Sequence, residues 1–195
     1  MNYVLASKSP RRKEILETLE IEFEVVTADT DETCDERDPH RLVEILSERK
    51  GLAVRDLLLA KGRDLSDTVI ISSDTVVAVD GEILGKPHDA DDARRMLRML
   101  SGRTHEVVSG IALIGVHAKG VSHEVTEVTF DTWDDRTVEH YIAVAQPYDK
   151  AGAYAIQGLA SAWIKGIRGD YFNVVGLPVH RLNTLHTEIF GKNLL

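Results

Sequence analysis

Four cations and two hydroxyls crowd one turn near the start of the chain, Ser7-Lys8-Ser9-Pro10-Arg11-Arg12-Lys13. Ser9 stands where a helix N-cap would, and Pro10 where the first helical residue would. Cations at a helix N-terminus oppose the macrodipole, at a cost of roughly 0.3–1 kcal/mol each when exposed. An anion held by N–H groups, hydroxyls and guanidinium forks reverses that sign. The turn therefore reads either as a phosphate cradle or as a solvated basic turn. No Walker or Gly-x-Gly-x-x-Gly pattern accompanies it.

A second cluster is acidic. Asp29, Asp31, Glu32, Asp35, Glu36 and Asp38 fall within ten residues, countered only by Arg37. Dense carboxylates suit a hard cation such as Mg²⁺, or else form a solvated acidic loop; no Gly occupies the turn position of an EF-hand. Ser72-Ser73-Asp74-Thr75 places a carboxylate at the end of a β-branched run, where open α/β sheets hold ligands. Asp74 reads as a base, a metal ligand or a group orienting water, or else as the cap of a turn. Lys86 in Gly85-Lys86-Pro87 and Lys150 in Asp149-Lys150-Ala151-Gly152 are lone lysines beside turns, and such lysines are usually solvated. Lys50 in Ser47-Glu48-Arg49-Lys50 fits an exposed helix face. The eight histidines show no metal-ligand spacing, and nothing marks an activated nucleophile.

Elements must position these groups. Tyr3 to Ala6 predicts a strand, followed by a helix carrying Ile15, Leu16 and Leu19 at helical spacing. A strand over Ile21 to Val26 leads into a polar loop from Thr27 to Pro39 and a helix over His40 to Ala60, with Leu42, Val43, Leu46, Ala53, Leu57 and Leu58 on its apolar side. Thr68 to Ser72 reads as a strand buried on both faces; it runs on into Thr75 to Val79 and the tight turn Asp80-Gly81. Asp89 caps a helix that Ser101-Gly102 stops. His105 to Val116 and Val121 to Trp133 predict two long strands around Lys119-Gly120, with a slip in the alternation of the second between Val125 and Val128. A helix over Asp135 to Ala145, short Gly-punctuated strands from Ala151 to Lys165, and a helix from Leu177 to Phe190 complete the chain. Strands and helices mix without regular βαβ alternation, so a mixed α/β sheet is expected rather than a doubly wound parallel one.

Composition narrows the function. The 195 residues are 43% apolar and 28% charged, with net charge −9. That is ordinary globular usage over a length that suits one domain, residues 1–195. The acidic balance argues against a nucleic-acid polymer or an anionic membrane as partner. A single cysteine, Cys34, excludes an internal disulfide and a Cys-based zinc cluster. No 18-residue apolar run occurs, and the apolar start is too short for a signal peptide, so a cytoplasmic protein is expected.

Six collinear motifs then carry a resemblance: Ala6-Ser7-Lys8-Ser9-Pro10-Arg11-Arg12-Lys13, Ser73-Asp74-Thr75-Val76-Val77, Leu84-Gly85-Lys86-Pro87, Leu100-Ser101-Gly102-Arg103-Thr104-His105, Asp149 to Gly158, and Asn173-Val174-Val175-Gly176-Leu177-Pro178. Together they resemble the Maf family of nucleoside triphosphate pyrophosphatases, from Val4 to about Leu185. The resemblance implies an α/β fold like that of inosine-triphosphate pyrophosphatases: a long curved mixed sheet with flanking helices, and two lobes around a cleft. It implies Asp74 as proton acceptor, Glu32 and Asp74 as ligands of Mg²⁺ or Mn²⁺, and Arg12, Lys50 and Lys86 as catalytic cations. Ser7 and Lys150 would contact substrate. Gly51 departs from the family, where many members carry Ala, and a one-residue slip would exchange Glu32 for Asp31.

Within that family three positions separate subgroups, and Arg11, Thr75 and Gln157 resemble the dTTP/UTP-hydrolysing members. The implied reaction converts a nucleoside triphosphate and water to the monophosphate and pyrophosphate, and a homodimer is implied as well. The alternatives are a non-catalytic nucleotide-binding regulator of septum formation, or a pyrophosphatase for other modified nucleotides such as 7-methyl-GTP.

Overall fold

The structure, a computed structural model, describes residues 1–195. Seven strands form a mixed sheet: β1 (Asn2–Leu5), β2 (Phe23–Val25), β3 (Thr68–Val79), β4 (Glu82–Leu84), β5 (Thr104–Ile114), β6 (Lys119–Phe130) and β7 (Ile164–Arg168). Their order is β2-β1-β3-β5-β6-β7, with β4 paired to β3. The six helices are α1 (Pro10–Thr18), α2 (Pro39–Ala60), α3 (Ala90–Leu100), α4 (Asp135–Ala145), α5 (Tyr171–Val175) and α6 (Val179–Phe190). The expected mixed α/β sheet is present. No helix is long and apolar enough to cross a membrane.

Contacts divide the chain into two units. The first comprises Met1–Asp74, Ser109–Glu124 and Gly176–Leu195. Here β1 runs parallel to both neighbours, with Leu5 opposite Val25 and Ile71. Its core gathers Val4, Ala6, Val54, Leu58, Leu65, Ile70, Ala112 and Ile114, where each large aliphatic side chain contributes about 1.5–3 kcal/mol by burial. Helix α2 lies close to the strands because its inner face is small: Ser72 Oγ donates to the Ser47 carbonyl at 2.7 Å. A Cβ on Gly51 would come within 2.8 Å of both Ile114 Cγ1 and Ser72 Oγ. The departure from alanine at this position thus matches a tight helix–strand contact in this chain. The buried stripe of α2 runs through Val43, Leu46, Ser47, Gly51, Val54 and Leu58, so Leu42, Ala53 and Leu57 lie beside it, half-buried. Gly120, expected in a turn, lies inside β6 instead. A Cβ there would sit 2.1 Å from Ile189 Cδ1, so the glycine serves the seating of α6. The turn itself is closed by the Gly115 N–H on the Ala118 carbonyl at 2.8 Å.

The second unit comprises Thr75–Val108 and Val125–Val175. Asp80 and Gly81, both with positive φ, make the β3–β4 turn, and Asp89 Oδ1 caps α3 through the Asp92 N–H at 2.8 Å. The slip expected in β6 resolves as a choice of face. Thr126, Val128 and Phe130 are buried, and Val125 is not. The Thr126 hydroxyl earns its place by accepting the Asp170 N–H at 3.0 Å and an Asn173 Nδ2–H at 2.9 Å. The short strands expected from Ala151 to Lys165 are instead 3₁₀ turns at Ala151–Ala153 and Leu159–Trp163, with only Ile164 and Lys165 entering a strand. Gly152 and Ala153 take left-handed backbone, which a strand cannot absorb. Helix α5 was not anticipated, and the closing helix starts two residues later than expected.

Buried in this unit, His105 bonds Tyr154 Oη through Nε2 at 2.8 Å and packs edge-on against Phe130. Burial pushes its pKa from 6.5 down to about 4. The unfolded chain therefore takes up a proton below pH 6.5 that the native protein refuses until about pH 4. Stability is expected to fall by about 2–3 kcal/mol across that window. Urea midpoints at pH 7 and pH 4.5, compared with those of His105→Gln, check this; an equal loss in both proteins would refute it.

Candidate active site

In the first unit, five of the residues singled out in the sequence come together. Arg12 lies in the first turn of α1. Its Nε donates to the Gly176 carbonyl at 2.7 Å and its Nη1 to Ser7 Oγ at 3.3 Å. Ser7 Oγ also accepts the Ser9 N–H at 3.2 Å, so Ser7 orders the turn. Ser9 sits at the N-cap position but makes no side-chain cap bond, contrary to its expected role. Burial lowers the Arg12 pKa, while Asp74 and Glu32 raise it and Arg11 lowers it further. The guanidinium stays cationic, as guanidiniums do in proteins, and senses both carboxylates.

Strand alternation splits the Ser-Ser-Asp run. Ser72 turns toward α2, and Ser73 donates to the Gly176 carbonyl at 3.1 Å. Asp74 turns toward α2 again and meets Lys50. Asp74 lies in the middle of β3, not at its end as expected, because Thr75 to Val79 continue the strand. Lys50 is no solvated residue. Its Nζ stands 2.5 Å from Asp74 Oδ1 and 3.0 Å from Glu32 Oε1, and its side chain is 18% exposed.

The acidic loop is mostly self-capping. Asp31 Oδ1 accepts the Thr33 N–H at 2.8 Å, Glu36 Oε1 accepts the Arg37 and Asp38 N–H groups, and Asp38 Oδ1 caps α2 through His40. The Thr33 bond holds the Asp31 carboxyl below its ordinary pKa. Arg49 Nη1 pins the loop through the Asp31 and Thr33 carbonyls at 2.8 and 2.9 Å. Glu32, held between those carbonyls, is the loop carboxylate that reaches Lys50.

No group of three or more His, Cys, Asp and Glu side chains could hold a metal. Two hard carboxylates remain, Glu32 and Asp74. That donor set suits an ion completed by waters and phosphate oxygens, which is how Mg²⁺ is usually held.

The remaining residues belong to the second unit or to the edge of α1. Lys86 is exposed after β4, on a segment tied to the Asp149–Gly158 stretch by the Gly152 N–H on the Gly85 carbonyl at 3.0 Å. Lys150 pairs with Asp149. Thr75 is half-buried in β3, Arg11 is half-buried in α1, and Gln157 is exposed in a turn. Spacing could not have revealed the Gly176 carbonyl, 164 residues from Arg12; the signal available was its motif, Asn173 to Pro178, which carried no assigned role.

Comparison with known proteins shows what the chain is similar to. The family model described as Maf-like protein matches residues 2–189. A protein of Clostridioides difficile named dTTP/UTP pyrophosphatase is 42% identical over 100% of this chain and 98% of its own. One of the same name from Pelotomaculum thermopropionicum is 44% identical over 98% of both chains. Among solved structures, the Staphylococcus aureus Ham1 protein matches with TM-score 0.48 and 16% identity, over 67% of this chain and 72% of that one.

Proposed function

The chain belongs to the Maf-like family, and from that premise we propose that it hydrolyses dTTP and UTP, with modified uridine triphosphates, to the monophosphate and pyrophosphate. The observation that carries the proposal is the convergence of Glu32, Asp74 and Lys50 beside the clamped guanidinium of Arg12. Phosphoryl chemistry needs positioned cations and a proton acceptor more than it needs a covalent partner. Asp74 takes a proton from the water that attacks the α-phosphorus. The bond to the α–β bridging oxygen breaks, and pyrophosphate departs with the electron pair. Arg12 and Lys50 neutralise the charge that develops on it. Glu32 and Asp74 fit Mg²⁺ or Mn²⁺, which when bound polarises phosphate and makes coordinated water more acidic. Ser7 holds the basic turn in shape. Lys86, Lys150, Arg11, Thr75 and Gln157 enter the proposal on the resemblance alone.

Base choice follows from chemistry. A Gln amide offers donor and acceptor to the O4 and N3–H edge of a pyrimidine, whereas an ionised Glu only accepts. Arg11 would repel a cationic methylated purine. Pyrophosphate release over a panel of triphosphates is expected to place dTTP and UTP well above dATP, dGTP and 7-methyl-GTP. Gln157→Glu is expected to depress the pyrimidine rates about ten- to a hundredfold, the cost of an unpaired polar edge. A preference for 7-methyl-GTP, or equal rates on all triphosphates, would overturn the substrate assignment.

On the same resemblance we propose a cytoplasmic homodimer; a monomer mass by light scattering at micromolar protein would contradict the pairing.

A further inference from the structure

Lys50 Nζ contacts one oxygen of Asp74 and one of Glu32, at 2.5 and 3.0 Å. Those carboxylates are the groups proposed above to hold the divalent ion, and the inference rests on that reading. We propose that Lys50 is a built-in competitor of the ion: the ammonium and the metal take the same carboxylates in alternation, and metal binding releases Lys50 toward the triphosphate.

Charge and geometry support this. Mg²⁺ binds oxygen ligands at about 2.0–2.1 Å. An ion seated on both carboxylates would lie within a few ångströms of an ammonium bonded to the same pair, and the two would repel. Asp74 is nearly buried, so water screens that repulsion poorly. Arg12 lies close enough to feel Asp74 and Glu32 as well. Cations of this chain, Lys50 and Arg12, with Arg11 beside Arg12, already stand around the two carboxylates, and a divalent ion would be repelled by them. Lys50 is the member able to yield. Its four-carbon stem rotates without moving α2, whereas Arg12 is fixed by Gly176 and Ser7. A released ammonium beside the metal is then placed for phosphate oxygens, which carry the opposite charge. Metal and triphosphate would bind with positive coupling through one side chain, and that coupling is reciprocal.

The test reads metal binding without turnover. Free Mn²⁺ is titrated by electron paramagnetic resonance against the full-length protein, with no nucleotide present. Lys50→Met is expected to bind Mn²⁺ about tenfold more tightly than wild type, since the competing state no longer takes up part of the population. Lys50→Gln, which keeps polarity without charge, is expected to tighten binding in the same direction and covers the case in which the methionine variant folds poorly. Adding Glu32→Gln to either variant is expected to abolish the gain. Mg²⁺ should also raise the melting temperature of the Lys50 variants more than that of wild type, an effect that lost packing alone would not produce. Mn²⁺ affinity equal to or weaker than wild type in both variants would overturn the proposal. So would tight binding that survives Glu32→Gln, or no Mn²⁺ binding by any of the proteins. A failure of the pyrophosphatase reading shows separately, as wild type that releases no pyrophosphate from any triphosphate while its Mn²⁺ titration still reports on Lys50.

Discussion

Replacing Asp74 with asparagine is expected to lower the rate of pyrophosphate release about 10²–10⁴-fold, the usual consequence of losing a general base, the role proposed for Asp74. The substitution is isosteric, and the surroundings tolerate it. Asp74 lies mid-strand in β3, and Lys50 keeps Glu32 as a partner at 3.0 Å. The melting temperature should therefore change little, which separates a lost base from a lost fold. What disappears is a carboxylate able to take a proton, together with one of the two carboxylates proposed to hold a metal ion. The loss should fall on kcat more than on KM, because the water's proton moves only as the transition state is reached. Saturating Mg²⁺ removes the contribution of weakened metal binding, and the residual deficit then measures the base. Retention of more than about a tenth of the wild-type rate under those conditions would remove Asp74 from the role.

Periodicity and turn chemistry carried most of the architecture. The first strand, Pro10 as first residue of α1, the long α2, the Asp80-Gly81 turn, the Asp89 cap and the bounds of α4 could all be read from local signals, because each depends on neighbours a few residues away. The misreadings share a cause. Gly120 and Gly152 look alike in sequence, as punctuation. One seats a neighbouring helix and the other adopts left-handed backbone, and only tertiary contacts distinguish them. Val125 and Thr126 compete for one face of β6, and hydrophobicity favours the valine. The threonine wins because Asp170 and Asn173 supply hydrogen bonds that occur only in the folded chain. Lys50 illustrates the same limit at the site. On its own segment it belongs to a charged helix face, and its ion-pair partners lie in β3 and in a loop 18 residues upstream, at Asp74 and Glu32. The residues of the site were legible mainly through the resemblance, and the structure adds the contacts that give those in the first unit a common place.

Arg12→Lys tests whether those contacts matter, because it keeps the charge and changes only how the charge is held. In the native site the Arg12 fork is attached to the protein at two points, Nε on the Gly176 carbonyl at 2.7 Å and Nη1 on Ser7 Oγ at 3.3 Å. Two attachments fix the plane of the guanidinium before phosphate arrives. The Gly176 carbonyl is itself steadied by Ser73, which is fully buried beside Asp74. Arg12 and the residue next to Asp74 are therefore bonded to one carbonyl oxygen. A lysine carries a point charge on a flexible stem and cannot satisfy Gly176 and Ser7 while presenting a fork to phosphate. Loss of a preorganised donor of this kind typically costs 10²–10³-fold in kcat, and that is the expected fall in pyrophosphate release for Arg12→Lys. Ser73→Ala leaves Arg12 chemically intact and removes only the second donor to Gly176, so a smaller loss, roughly tenfold, is expected from loosened positioning. If charge alone were needed, Arg12→Lys would retain wild-type kinetics. The Ser7–Lys13 turn would then be a solvated basic turn, and the clamp from Gly176 would have no catalytic consequence.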